Sequence, residues 1–183
     1  MRQQAVERMV LCALFAALTA VCAQVTIPVG PVPVSLSLLP VLLCGALLRP
    51  GEAALSMAAY LLMGLFGLPV FSGMTGGPGK LMGPTGGFIA GYIPCAALTA
   101  LILLRGRGLL RTALAMAAGT LACYALGTVW FTVAAGRDIG EALSVCVLPF
   151  LPFDAVKIAI AAAVAHRMPP MRKAVRKSSP VPH

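Results

Sequence analysis

The chain has 183 residues, of which 60% are hydrophobic and 10% charged, and its formal net charge is +9. Soluble domains carry about 25% charged residues, so this composition belongs in a lipid bilayer, where about six spans of ~20 residues would use the whole length. No room remains for a soluble catalytic domain, and no folded polar surface exists on which the basic excess could build a nucleic-acid groove.

Six apolar runs follow one another, at about 9–27, 34–48, 53–71, 83–104, 109–135 and 141–165. They predict an all-α integral membrane protein of six transmembrane helices, although the second run is short and holds Pro40. The segment 1–8 is short and the run behind it is too long for a signal peptide, so no cleaved leader is expected. Eleven of the 14 Lys and Arg fall on one side of such a fold: Arg2, Arg8, Arg49, Arg105, Arg107, Arg111, Arg167, Arg172, Lys173, Arg176 and Lys177. Only Lys80 and Arg137 fall on the other. The positive-inside rule then places both termini in the cytoplasm. The expected organisation is a cytoplasmic N-terminus at 1–8, a six-helix substrate-binding domain at 9–166, and a basic, disordered cytoplasmic tail at 167–183.

The first run carries small residues at four-residue spacing, Ala13/Ala17 on one face and Ala16/Ala20 on an adjacent one. Small side chains at that spacing let helix backbones approach closely, either within the chain or against a second protein. Residues 27–35 (IPVGPVPVS) then make an uncharged, proline-rich outer loop that is stiff and extended. It serves as a connector or as a lid over a site.

The longest outer loop, 67–87, holds eight glycines and three prolines. Glycine permits positive φ and close backbone approach, so this loop reads as a spacer or, given its length, a cap that closes over a ligand. Within it Gly76-Gly77-Pro78-Gly79-Lys80 imitates a phosphate loop, but Met74 stands where the first glycine belongs and Leu81 replaces Ser/Thr. Nucleotide binding is rejected. Gly83, Gly87 and Gly91 form a helix-packing ridge. In the fifth run Tyr124, Trp130 and Phe131 suit an interfacial aromatic belt; stacking of Trp130 on a ligand ring is the other reading.

Asp154 and Lys157 are the only charges deep inside an apolar run. Ionisable groups at membrane depth are costly and face a cavity or a partner. Spacing i, i+3 puts both on one helix face. Pro149 argues against a continuous helix upstream and Pro152 suits a first helical turn, so the pair belongs to the start of a half-helix. An acceptor, a donor and free backbone N–H groups suit a small polar or acidic solute. An ion pair that only fixes helix packing is the bland alternative. The six cysteines (Cys12, Cys22, Cys44, Cys95, Cys123, Cys146) lie singly in apolar runs and His166 and His183 stand apart, so no metal site or disulfide is expected.

Three stretches together resemble the BioY family, the biotin-specific substrate-binding (S) component of energy-coupling factor (ECF) transporters. They are residues 27–36 (IPVGPVPVSL), 67–71 (GLPVF) with 83–88 (GPTGGF), and 152–157 (PFDAVK), within a likeness spanning about 11–165. The resemblance implies six helices, extracellular loops capping a biotin pocket, no cofactor and no catalysis. It implies substrate contacts at Asp154, Lys157, Gly83, Pro84, Thr85, Gly86, Gly87, Val34 and Ser35. It also implies that an A-x-x-x-A face, Ala13/Ala17 or Ala16/Ala20, meets the transmembrane coupling protein of an ECF module whose two cytoplasmic ATPases supply energy. Ser35 and Ser37 stand where many members have Thr and Gln, so lid contacts differ here. Biotin fits the residues: Asp154 accepts from a ureido N–H, and Lys157 donates to the ureido oxygen or to the valerate carboxylate.

Three other classes compete, of which a purely structural membrane protein explains neither the buried charges nor the long glycine loop. A solitary or proton-coupled secondary transporter working through Asp154 would be expected to show an inverted repeat, and none is visible. An intramembrane enzyme would need a nucleophile–base pair or metal set, and no such constellation is present.

Overall fold

The computed structural model describes residues 2–27, 33–168 and 171. Helix α1 (Arg2–Gln24) leads into a short hairpin of β1 (Thr26–Ile27) and β2 (Val34–Ser35), paired antiparallel with Thr26 opposite Ser35. Then come α2 (Leu38–Leu47), α3 (Pro50–Leu65), α4 (Pro78–Met82), α5 (Gly86–Ala90), α6 (Tyr92–Leu103), α7 (Leu109–Ala135), α8 (Ile139–Cys146) and α9 (Leu151–Arg167).

Among the described residues, three stretches are long and apolar enough to cross a membrane: Gln3–Gln24, Gly86–Leu103 and Leu109–Ala135. A fourth arises if α8 and α9, bent by 53° at their junction, count as one broken span. The break contains Pro149, which cannot donate a helical hydrogen bond, so α9 restarts with Pro152 in its first turn. The second and third apolar runs make shorter helices. α2 has 10 residues, because 34–37 enter the hairpin and a turn, and it covers about 15 Å at 1.5 Å per residue. α3 stops at Leu65, and Gly67 takes a φ of 90° just beyond it. Of the tail expected at 167–183, residues 169–170 and 172–183 lie outside the described residues.

α2 is the axis of the core. Val41, Leu42, Cys44 and Ala46 are wholly buried, enclosed by Ala96, Ala100 and Leu103 of α6, Ala115 and Met116 of α7, and Ala161, Ala162 and Ala165 of α9. Where α6 crosses α7, Thr99 Oγ1 donates to Cys95 O (2.8 Å) and lies 3.3 Å from Ala115 O. Small side chains let these backbones approach, as in other membrane bundles. The outward faces of α1 and α7 expose Met9, Val10, Leu14, Val21, Leu114, Leu121, Val129 and Val133, an apolar girdle suited to lipid.

The glycine-rich loop after α3 is tied down. Its Phe71 is fully buried, edge-on to Tyr60 with ring centroids 5.6 Å apart, and Phe71 bridges to Thr75. The ring sits in a notch opened by Gly64, where any added methyl would overlap it. From the end of α1, the Gln24 side chain accepts from Met74 N (2.9 Å) and donates toward Pro69 O and Phe71 O (both 3.3 Å).

Candidate functional site

Between the β-hairpin and the core lies a cavity of about 610 Å³, its open mouth included. Its walls come from segments spread between Pro33 and Lys157. Pro33 and Ser35 belong to the hairpin and Leu38 opens α2; Ser72 comes from the tied loop, and Thr85, Phe88, Ile89 and Tyr92 from the α5–α6 region. Thr120, Cys123 and Tyr124 come from α7, and Cys146, Phe150, Asp154 and Lys157 from the α8–α9 break. The wall is mostly apolar with a few convergent polar groups, the usual make-up of a small-molecule site.

Asp154 and Lys157 meet at this wall. Both are buried, at 4% and 8% relative exposure, and Lys157 Nζ lies 2.7 Å from Asp154 Oδ1. Because α9 begins at Leu151, the two side chains leave one face within its first two turns. Lys157 Nζ also donates to the Ser35 carbonyl (2.7 Å), which ties β2 to α9. The Tyr124 hydroxyl donates to Asp154 Oδ2, so both carboxylate oxygens have a partner. Beside this group Ser35 Oγ lies 2.5 Å from Ser37 Oγ, and Ser37 Oγ lies 2.6 Å from the Tyr92 hydroxyl. A buried charge needs such compensation, and here it is complete.

Capacity nevertheless remains. An ammonium has three donors, and Lys157 commits two; a carboxylate offers about four lone-pair sites, and Asp154 fills two. A ligand that carries donor and acceptor side by side can engage both at once.

Of the other residues singled out by sequence, Ser35 and Thr85 line this cavity. Val34 is buried next to it, packed with Tyr124 and Phe150. Gly83 and Pro84 are absent from its described wall. Gly86 and Gly87 instead line a separate apolar hollow with Leu61, Leu81, Ala90 and Trp130. A methyl on Gly87 would overlap Trp130, whose indole N–H donates to Gly83 O (3.0 Å). Trp130 therefore packs on the glycines rather than facing Asp154. On α1, Ala13 and Ala17 are exposed, Ala16 is buried with Tyr60, Phe71 and Ile89, and Ala20 is half-buried against that cluster.

Tyr124 departs from the belt expected of it. It reaches inward to Asp154, and a signal for this existed: Thr120, Tyr124 and Thr128 repeat every four residues, a polar stripe through an apolar run. Nothing local pointed to Tyr92 or Cys146.

Comparison with known proteins gives one answer. A family model described as BioY family matches residues 1–174. The probable biotin transporter BioY of Pyrococcus horikoshii is 40% identical over 158 residues, covering 86% of this chain and 93% of that protein. The biotin transporter BioY of Thermotoga maritima is 35% identical over 162 residues, covering 88% and 95%. A crystal structure of the S-component for biotin from an ECF-type ABC transporter superposes with a TM-score of 0.85 across 94% of each chain, at 24% identity, and shares the fold. With the family model spanning nearly the whole chain and full-length relatives at this identity, the chain belongs to the BioY family.

Proposed function

We propose that this chain takes up biotin as the S component of an ECF-type transporter, binding the vitamin at the Asp154–Lys157 wall. The carrying observation is a buried, fully compensated ion pair that still has a free donor and free acceptor sites facing a cavity. Biotin's ureido ring presents N–H and C=O groups side by side, so Asp154 accepts from a ureido N–H while Lys157 donates to the ureido oxygen. Lys157 points along the same wall as Asp154 and is held by Ser35 O, which favours the ring over the distant valerate carboxylate as its partner. Phe88, Ile89, Cys123 and Phe150 give the thioether side of the ring an apolar bed. Thr85, Ser35 and Val34 border the bound ring. Gly83, Pro84, Gly86 and Gly87 act one layer out, setting the path of the wall.

The chain is a transporter subunit and not an enzyme. Its setting is the cell membrane, crossed by six segments with both termini inside and with the hairpin and glycine-rich loop capping the pocket from outside. The distribution of arginine and lysine supports that orientation. Energy comes from a coupling membrane protein and two ATPases of an ECF module. Ala13 and Ala17 form the docking pair, because Ala16 is occupied in the chain's own core. Titration of the detergent-purified chain with labelled biotin tests the ligand: saturable binding is expected, weakened in Asp154→Asn, and absence of binding in the intact protein would reject it. Pull-down with an ECF module tests the partner, with Ala13→Leu/Ala17→Leu expected to lose the module and keep biotin.

A further inference from the structure

We infer that Tyr124 is a positioning residue that sets the ligand preference of the site by holding Asp154 as an oriented acceptor. The geometry is specific. Tyr124 sits on α7 and Asp154 on α9, so the phenol links two helices across the cavity both of them line. Its hydroxyl donates to Asp154 Oδ2, while Lys157 holds Oδ1. The carboxylate is therefore clamped at both oxygens and cannot rotate about its terminal bond. The Tyr124 ring is buried with Val34, Phe131, Ala142, Cys146 and Phe150, so the hydroxyl itself is held in place.

The clamp has a chemical consequence. A carboxylate shared between an ammonium and a phenol has its negative charge largely satisfied, leaving room for one more neutral N–H and little attraction for a second cation. Lys157 beside it repels a cation outright. The site as built thus prefers a neutral cyclic urea and rejects a ring of the same shape carrying a guanidinium. Removing the phenol oxygen releases Oδ2, which can then turn to face a cationic ring. Tyr124 selects for neutrality through Asp154 without itself needing to touch the ligand. This assignment rests on biotin as the ligand.

Two readouts test it in detergent-purified protein. Biotin and 2-iminobiotin, its cyclic guanidine analogue, are titrated at neutral pH against the intact chain and Tyr124→Phe, which keeps the ring packing. A loss of about tenfold for biotin is expected, the size of one charge-assisted hydrogen bond, while iminobiotin holds or gains, so that the biotin-to-iminobiotin ratio collapses by at least that factor. Equal losses for both ligands, or no change in either, overturn the proposal. The second readout needs no ligand. The chain contains two aspartates, Asp138 and Asp154, so 13C-aspartate labelling gives two side-chain carboxyl signals, assigned by Asp154→Asn. Tyr124→Phe is expected to move the Asp154 signal and leave Asp138 in place; an unmoved Asp154 signal rejects the clamp. A protein that binds no biotin but shows the moved signal would retain the clamp and sink the biotin reading instead.

Discussion

Two regions stand out in the sequence for opposite reasons, the charged first turns of α9 and the glycine-rich stretch 67–87, and the structure uses them differently. The charges meet in the cavity wall with every buried atom of the pair partnered. The glycines serve turns and close packing: Gly67, Gly73 and Gly77 take positive φ, Gly87 seats Trp130, and Gly64, just upstream, seats Phe71, while Ser72 and Thr85 are the residues of that region that reach the cavity. The difference is one of chemistry. A charge in apolar surroundings must find a partner, so its place at a site follows from energetics. A glycine has no side chain to satisfy, and its value is the room it leaves for another residue.

The largest effect is expected where that room is taken away. Gly64→Ala drives a methyl into the fully buried Phe71 ring, and the ring must leave its contact with Tyr60. Losing a buried phenylalanine from a core costs about 3–5 kcal/mol, and a clash that expels one approaches that figure. Thermal unfolding in detergent should show a large drop, and Phe71→Ala added to Gly64→Ala should cost less than the two changes summed, because the second relieves the clash. Strict additivity would mean the notch does not set the position of the loop.

Next come the charges. Asp154→Asn and Lys157→Ala are each expected to weaken biotin binding by about 2 kcal/mol or more, since either leaves a polar partner unpaired in a dry wall. Lys157→Ala should in addition loosen the hairpin, because the Ser35 carbonyl loses its donor. Hydrogen exchange over β1 and β2 reads that second effect. It should rise in Lys157→Ala and stay level in Asp154→Asn, and unchanged biotin affinity in both variants would remove the pair from the site.

How far the sequence could be read follows the same division. The pair, its helix face and the break at Pro149 are local facts, governed by i, i+3 geometry and by a missing N–H, and they were legible. Ala13/Ala17 and Ala16/Ala20 were both visible as small-residue faces, but which one turns inward depends on where α3 places Tyr60, a contact between distant parts of the chain. Tyr92 and Cys146 reach the cavity only because α6 and α8 converge on it, and no spacing rule encodes that. Tyr124 lies between these cases. Its four-residue repeat with Thr120 and Thr128 was present in the sequence, and the aromatic-belt reading obscured it.

That repeat supplies the smallest and sharpest test. Thr120 Oγ1 donates back to Met116 O (2.9 Å) and Tyr124 donates to Asp154, whereas the buried Thr128 hydroxyl, one turn farther along α7, has no hydrogen-bond partner among the described residues. An unpaired buried hydroxyl costs about 1–3 kcal/mol, and valine has nearly the same shape without it. Thr128→Val should therefore leave biotin affinity within about twofold and raise stability by up to about 1 kcal/mol, less than the full cost because the unfolded chain in detergent also leaves that hydroxyl only partly hydrogen-bonded. Calorimetric titration and a melting curve on one preparation measure both. Should affinity fall instead, the Thr128 hydroxyl reaches the ligand, the polar stripe of α7 extends one turn beyond the cavity wall described above, and the site is deeper along that helix than its partnered atoms alone define.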